Sequence, residues 1–281
     1  MQTQKENAIL YTKMNAKQCS QIEEEGENRM QELLKGKVIL ITGGAQGIGL
    51  AMSQGCAENG AKVVMADINE EKLNMSVAEL REKGYDCEGV RMDITNWEEI
   101  GQVMGDVCRK YGRLDGLVNN AGITSKVKFI ESSLQDFDKI INLNLRSVYM
   151  CCRVAADIMV RQGGGSIVNV ASVAARNGGG LMSTSLYAAS KGGVISLTKG
   201  IAREVAQYNV HVNAIAPGSI DTPMTTVNRN PEEYASSIQK IPLHRRGQPV
   251  DMVGPVVLLL SEAGSFMIGS TLDVNGGSYM Y

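Results

Sequence analysis

From Gly36 onward, short apolar runs alternate with longer amphipathic stretches. Lys37-Val-Ile-Leu-Ile-Thr42 is apolar and stops at glycines, the pattern of a strand buried on both faces. Gly47 to Asn59 reads as a helix closed by Gly60. Lys62-Val-Val-Met-Ala66 is a second strand, and Asn69 caps a helix that stops at Gly84. Glu88–Met92 is a third strand. Thr95-Asn-Trp-Glu98 has capping-box spacing and opens a helix running to about Tyr111. Asp115–Asn119, Ser166–Val170, Val210–Ile215 and Ser270–Val274 are further strands, with long helices over about 133–162 and 186–207 between them. Strand–helix alternation over the whole span predicts an α/β fold: one domain, residues 35–281, built on a doubly wound parallel sheet of about seven strands with helices on both faces.

Residues 1–34 break the pattern. Gln, Lys, Glu and Asn dominate there and apolar positions are sparse, so this stretch is expected to lie outside the main domain. Two readings stay open: a flexible tail, or a partly helical segment that packs on the domain or on a neighbouring subunit. The chain has 281 residues and a net charge of −2, so no basic surplus points to nucleic acid. No run approaches the roughly 20 apolar residues of a membrane span, and the N-terminus has no secretory apolar stretch. Six scattered cysteines without a CxxC pair, and only two histidines, argue against a metal site and for reduced thiols in the cytoplasm. His211, inside a strand, reads as packed. His244 reads as a surface residue.

The first strand runs straight into Thr42-Gly-Gly-Ala-Gln-Gly-Ile-Gly49, which opens a helix. Glycines at 43, 47 and 49 let the backbone turn tightly and approach a pyrophosphate, and the free N–H groups at the helix start suit its charge. The context is that of a Rossmann-type dinucleotide site: strand before, helix after, and an acid, Asp67, at the end of the second strand. A carboxylate there accepts hydrogen bonds from the adenosine ribose and repels a 2′-phosphate. Neither Gln46 nor Ile68 offers a cation for such a phosphate, so NAD(H) is expected over NADP(H).

Tyr187-Ala-Ala-Ser-Lys191 puts Tyr and Lys on one helix face, one turn apart. A free tyrosine, with a pKa of about 10, is a poor base at neutral pH, and a neighbouring ammonium favours the phenolate. Taken alone the spacing is common in helices. Read with G-x-x-x-G-x-G and Asn119-Asn-Ala-Gly122, the chain from about residue 36 to 281 resembles the short-chain dehydrogenase/reductase family, whose signatures occur here in order. The resemblance implies a catalytic set of Asn144, Ser172, Tyr187 and Lys191. In it Tyr187 is the acid/base, Lys191 holds the nicotinamide ribose and tunes the tyrosine, Ser172 bonds the substrate oxygen and Asn144 supports a proton relay. It implies cofactor contacts at Gly43, Gln46, Gly47, Ile48, Gly49, Asp67, Asp93, Ile94, Asn120, Ala121 and Gly122, at Tyr187 and Lys191, and at Pro217, Gly218, Ile220 and Thr222 of the loop facing the carboxamide. It also implies a lid over about 223–246 and a homotetramer paired through the helices at 133–162 and 186–207 and through the C-terminal strand. No metal is called for.

One departure concerns spacing. Tyr187 follows Ser172 by 15 positions, slightly more than is usual in the family. Ser183 and Ser185 are therefore alternatives to Ser172, which is preferred because a strand end fixes its direction. The extra residues, within 176–186, are expected to enlarge the substrate mouth. The expected reaction is interconversion of a secondary alcohol and a ketone. Met182, Met224, Met267 and Met280 near the mouth would suit a hydroxysteroid or another bulky ketone, although core or interface roles explain them equally. Arg245 and Arg246 keep a polar substrate open, as do polyols, small diols and 3-oxoacyl compounds. Readings of another class are an NAD-binding redox sensor or an inactive scaffold subunit. Both predict loss of a catalytic residue, and none is missing.

Overall fold

A computed structural model describes residues 32–179, 184–223 and 231–280, without the side chains of Pro231 and Glu233. Seven strands form one sheet: β1 Val38–Thr42, β2 Lys62–Asp67, β3 Cys87–Arg91, β4 Gly116–Asn119, β5 Gly165–Val170, β6 Val210–Pro217 and β7 Thr271–Val274. Their order is β3-β2-β1-β4-β5-β6-β7, and every pairing is parallel. The chain reverses its winding beside β1, which pairs with β2 at Val38–Lys62 and with β4 at Ile39–Gly116. In such sheets ligands bind in the crevice outside the strands' carboxyl ends at that reversal.

Alternation along β1 explains the two layers of helices. All five residues of β1 are buried. Val38 and Leu40 join Leu117, Ile167 and Val212 on one face, covered by α3 (Trp97–Tyr111) and α5 (Ser147–Gln162). Ile39 and Ile41 join Val63, Met65, Val118 and Val168 on the other, under α1 (Gly47–Glu58) and α2 (Glu70–Glu82). Val256, Val257, Leu259 and Leu260, in the helix Val253–Leu260, belong to this second core. They are therefore core residues.

Three local expectations are corrected. The helix expected from Thr95 begins at Trp97 and is capped by Asn96, whose side chain accepts from the backbone N–H groups of Glu98 and Glu99. Thr95 instead donates its hydroxyl to Asp93, so Asp93, not the helix, takes that group. The long helix expected over 133–162 is three pieces: α4 (Leu134–Ile141), a π-helical segment at Asn142–Arg146, and α5. Hydrophobic periodicity does not register a widened turn that keeps the same axis. The other long helix is α7 (Ser185–Val205), preceded by the single turn α6 (Ala174–Asn177).

Candidate active site

The turn after β1 needs glycine. Gly43 has φ +65°, and a Cβ on Gly49 would sit 1.9 Å from the Gly43 carbonyl oxygen, so the helix start can approach the strand only without a side chain. Asn120 fastens this turn: its Nδ2 donates to the carbonyls of Thr42 (3.0 Å) and Gly43 (3.1 Å). The Thr42 hydroxyl accepts from the backbone N–H groups of Asn120 (3.0 Å) and Ala121 (3.1 Å). At the start of α1 no side chain caps the helix, because the Gln46 side chain accepts from Lys72 instead (3.1 Å). A helix N-terminus reached through glycines and left without a side-chain cap fits a pyrophosphate.

Asp67 ends β2 with its carboxylate fixed by two backbone donors, Ala45 (3.2 Å) and Asn69 (3.0 Å). Asp93 accepts from the backbone and hydroxyl of Thr95. Both carboxylates line a cavity of about 430 Å³ that runs across the strand ends. The same cavity is lined by Gly43, Gln46, Gly47, Ile48, Gly49, Ile94, Asn120, Ala121, Gly122, Pro217, Gly218, Ile220 and Thr222, and by Ser172, Tyr187 and Lys191. The structure thus gathers every expected cofactor-contact residue, and three of the four expected catalytic residues, around one space. The group implied by the fold fits what is present: a glycine cradle with no room for a Cβ, and a fixed carboxylate at the end of the second strand.

At the far end β5 delivers Ser172 and α7 delivers Tyr187 and Lys191. Ser172 and Tyr187 face the same cavity, and the Ser172 hydroxyl accepts from the Ala174 N–H (3.1 Å). Ser185, by contrast, is exposed at the start of α7, and Ser183 lies outside the described residues. Lys191 is buried and donates to the Val170 carbonyl (2.7 Å), with its Nζ 6.0 Å from the centre of the Tyr187 ring. Asn144 is fully buried in the π segment and does not line the cavity. Its Oδ1 accepts from Ile123 N (2.9 Å), and its Nδ2 donates to Ile123 O (2.8 Å) and Ser190 Oγ (3.1 Å). It therefore ties the irregular segment that follows β4 to α7.

Burial pushes the Tyr187 phenol above its usual pKa, with Ser172 pulling the other way. Burial also pushes Lys191 down to about 8. Desolvation outweighs the expected effect of the ammonium on the phenol in this structure. A phenol raised in this way stays protonated at neutral pH.

Several candidates are spent elsewhere. Arg246 is buried, paired with Asp221 (2.8 Å), and lies over the Tyr234 ring, which itself bonds Asp221. Arg245 pairs with Asp251 (2.7 Å). Both arginines are spent on carboxylates of the chain itself rather than left for a substrate. Met267 packs against the core, Met280 is largely exposed, and Met182 and Met224 lie outside the described residues. So does part of the loop 176–186. The near end of that loop is held by Arg176, paired with Asp273 (3.5 Å). His211 is half-buried in β6, its pKa lowered by burial, and His244 is exposed at φ +51°. Sequence reasoning missed Ile123, Thr124, Lys126 and Leu143 as cavity-lining residues. They occupy a loop and a helix turn with no motif, and only their place after Asn119–Gly122 could have flagged the first three.

The pattern of the short chain dehydrogenase family matches residues 37–233. A 3-oxoacyl-(acyl-carrier-protein) reductase of Thermotoga maritima is 40% identical over 245 residues, covering 87% of this chain and 98% of that protein. Two crystal structures are each 35% identical. One, assigned as a gluconate dehydrogenase of Agrobacterium tumefaciens, has a TM-score of 0.83 and covers 87% of this chain and 96% of its own. The other, assigned as an NAD(P)-dependent gluconate 5-dehydrogenase of Beutenbergia cavernae and holding NADP at low occupancy, has a TM-score of 0.82 and covers 87% and 97%.

Proposed function

Because the chain belongs to the short-chain dehydrogenase family, we propose that it interconverts a secondary alcohol and a ketone with NAD(H), using Tyr187 as acid and base. The observation that carries this reading is the single cavity with the glycine turn and Asp67 at one end and Ser172, Tyr187 and buried Lys191 at the other. The nicotinamide group, when bound, supplies or accepts the hydride. In reduction the Tyr187 hydroxyl gives its proton to the substrate oxygen as charge develops there, and the Ser172 hydroxyl donates a second hydrogen bond to that oxygen. In oxidation the same groups act in reverse. Lys191, anchored at Val170, keeps further N–H groups for the cofactor ribose. Asn144 holds Ile123 and Ser190, so its part is to position the wall beside Tyr187.

NAD(H) is favoured because Asp67 is a fixed carboxylate where a 2′-phosphate would lie. The Beutenbergia cavernae structure holds NADP, and Lys72 reaches Gln46 beside this turn, so the preference hangs on Asp67. For substrate, two of the four methionines behind the steroid reading, Met267 and Met280, do not line the cavity, and Met182 and Met224 lie outside the described residues. The named relatives are assigned to 3-oxoacyl and gluconate compounds, which favours the polar and 3-oxoacyl alternatives. The sensor and scaffold readings are disfavoured by the complete catalytic set. A cytoplasmic location is supported by five free cysteines among the described residues, four of them buried. The test is to mix the protein with NADH and polar ketones, 5-ketogluconate and 3-oxoacyl thioesters included, and follow nicotinamide absorbance. Steady consumption that depends on the ketone is expected. NADH binding without consumption across the panel would refute the enzyme reading.

A further inference from the structure

Of the cations lining the cavity, Lys191 donates to Val170 and Arg246 pairs with Asp221. Lys126 also lines it, and no described residue forms an ion pair or hydrogen bond with its ammonium. Its place is fixed by its neighbour: the Ser125 carbonyl accepts from both the backbone N–H and the hydroxyl of Thr184 (3.2 Å each), and Thr184 immediately precedes α7. The Lys126 backbone thereby lies beside the start of the helix that carries Tyr187, and Lys126, exposed to solvent, lines the same cavity as Tyr187. The acids that line the cavity, Asp67 ending β2 and Asp93 just after β3, lie at the end with the glycine turn. A substrate at Tyr187 thus meets one unspent positive charge and no opposing carboxylate among the described lining residues.

Resting on the ketone–alcohol reading above, we infer that Lys126 recognises an anionic group of the substrate and so selects ketones carrying a carboxylate or phosphate. Two sources share that chemistry: a free keto-sugar acid, and a 3-oxoacyl thioester carried on a phosphopantetheine arm. Matched pairs separate them. One arm compares 5-ketogluconate with L-sorbose, a neutral ketose. The other compares a 3-oxoacyl phosphopantetheine thioester with the neutral N-acetylcysteamine thioester of the same acid.

In wild-type protein the anion of at least one pair should have the higher kcat/KM. Lys126→Met should cut that anion-to-neutral ratio by about tenfold or more, mostly through KM, while Lys126→Arg keeps it, since hydrogen bonds to charged groups contribute at that scale. The pair that responds identifies the source. A second readout needs no turnover: titration calorimetry of 5-ketogluconate and of the phosphopantetheine thioester into Tyr187→Phe protein loaded with NADH, with and without Lys126→Met. Loss of binding with Lys126→Met supports the inference even if the chemistry at Tyr187 is wrongly assigned. An unchanged ratio together with unchanged binding overturns it. If NADH-loaded protein binds the anion through Lys126 but never reduces it, the oxidoreductase reading fails and the recognition site stands.

Discussion

Tyr187 and Lys191 are one helical turn apart in the sequence, and that much was readable. Their electrostatics was not. The expected gain from a neighbouring ammonium is outweighed by burial, which raises the phenol and lowers Lys191 to about 8. Burial is a property of the assembled cavity, and no spacing rule reports it. Asp67 was legible for the opposite reason, since strand ends and their acids are fixed by local pattern. Its two backbone donors explain why it holds one orientation. Asp67→Ser removes the charge that opposes a 2′-phosphate and leaves Lys72 nearby. The ratio of kcat/KM for NADPH over NADH should then rise at least about tenfold, the scale of one such charge contact. Steady-state kinetics with both cofactors checks this, and an unchanged ratio would remove Asp67 from cofactor selection.

At the scale of elements, the strands and glycine turns were legible because short apolar runs ending at glycine admit few other readings. The break in the 133–162 helix was not, and it matters because it carries Asn144. Also unforeseen was how α7 is tied to the sheet. Asn119 Nδ2 donates to Asn169 Oδ1 (2.8 Å), and Asn169 Nδ2 donates to Thr198 Oγ1 (2.9 Å), with all three side chains buried. This chain runs from β4 through β5, which leads to Ser172, into the helix that carries Tyr187 and Lys191. Thr198→Val keeps the shape and leaves the Asn169 amide unpaired. It should cost about 1–3 kcal/mol of stability, the penalty of an unsatisfied buried donor. Urea unfolding measures it, and a midpoint equal to that of wild type would show that the network carries no stability.

For the whole molecule, the fold class was legible in the alternation of strands and helices, whereas the strand order that sets the site beside the winding reversal came from the structure. Phe129, Ile130, Leu134 and Phe137 are exposed before and along α4, and Phe266 is exposed ahead of β7. Apolar side chains gathered this way mark interfaces, and we propose that they pair copies of the chain into the homotetramer implied by the family resemblance. Light scattering on the purified protein should give four times the chain mass, and a monomer at micromolar concentration would reject the proposal. The claim on which the rest depends is that Tyr187 transfers the proton. The most direct measurement is kcat of Tyr187→Phe on a ketone the wild type reduces, alongside its NADH affinity by fluorescence titration. The account predicts a fall in kcat of about 10²–10⁴-fold, the range for a lost general acid, with NADH affinity within a few-fold of wild type. Undiminished kcat at matched NADH binding would contradict it.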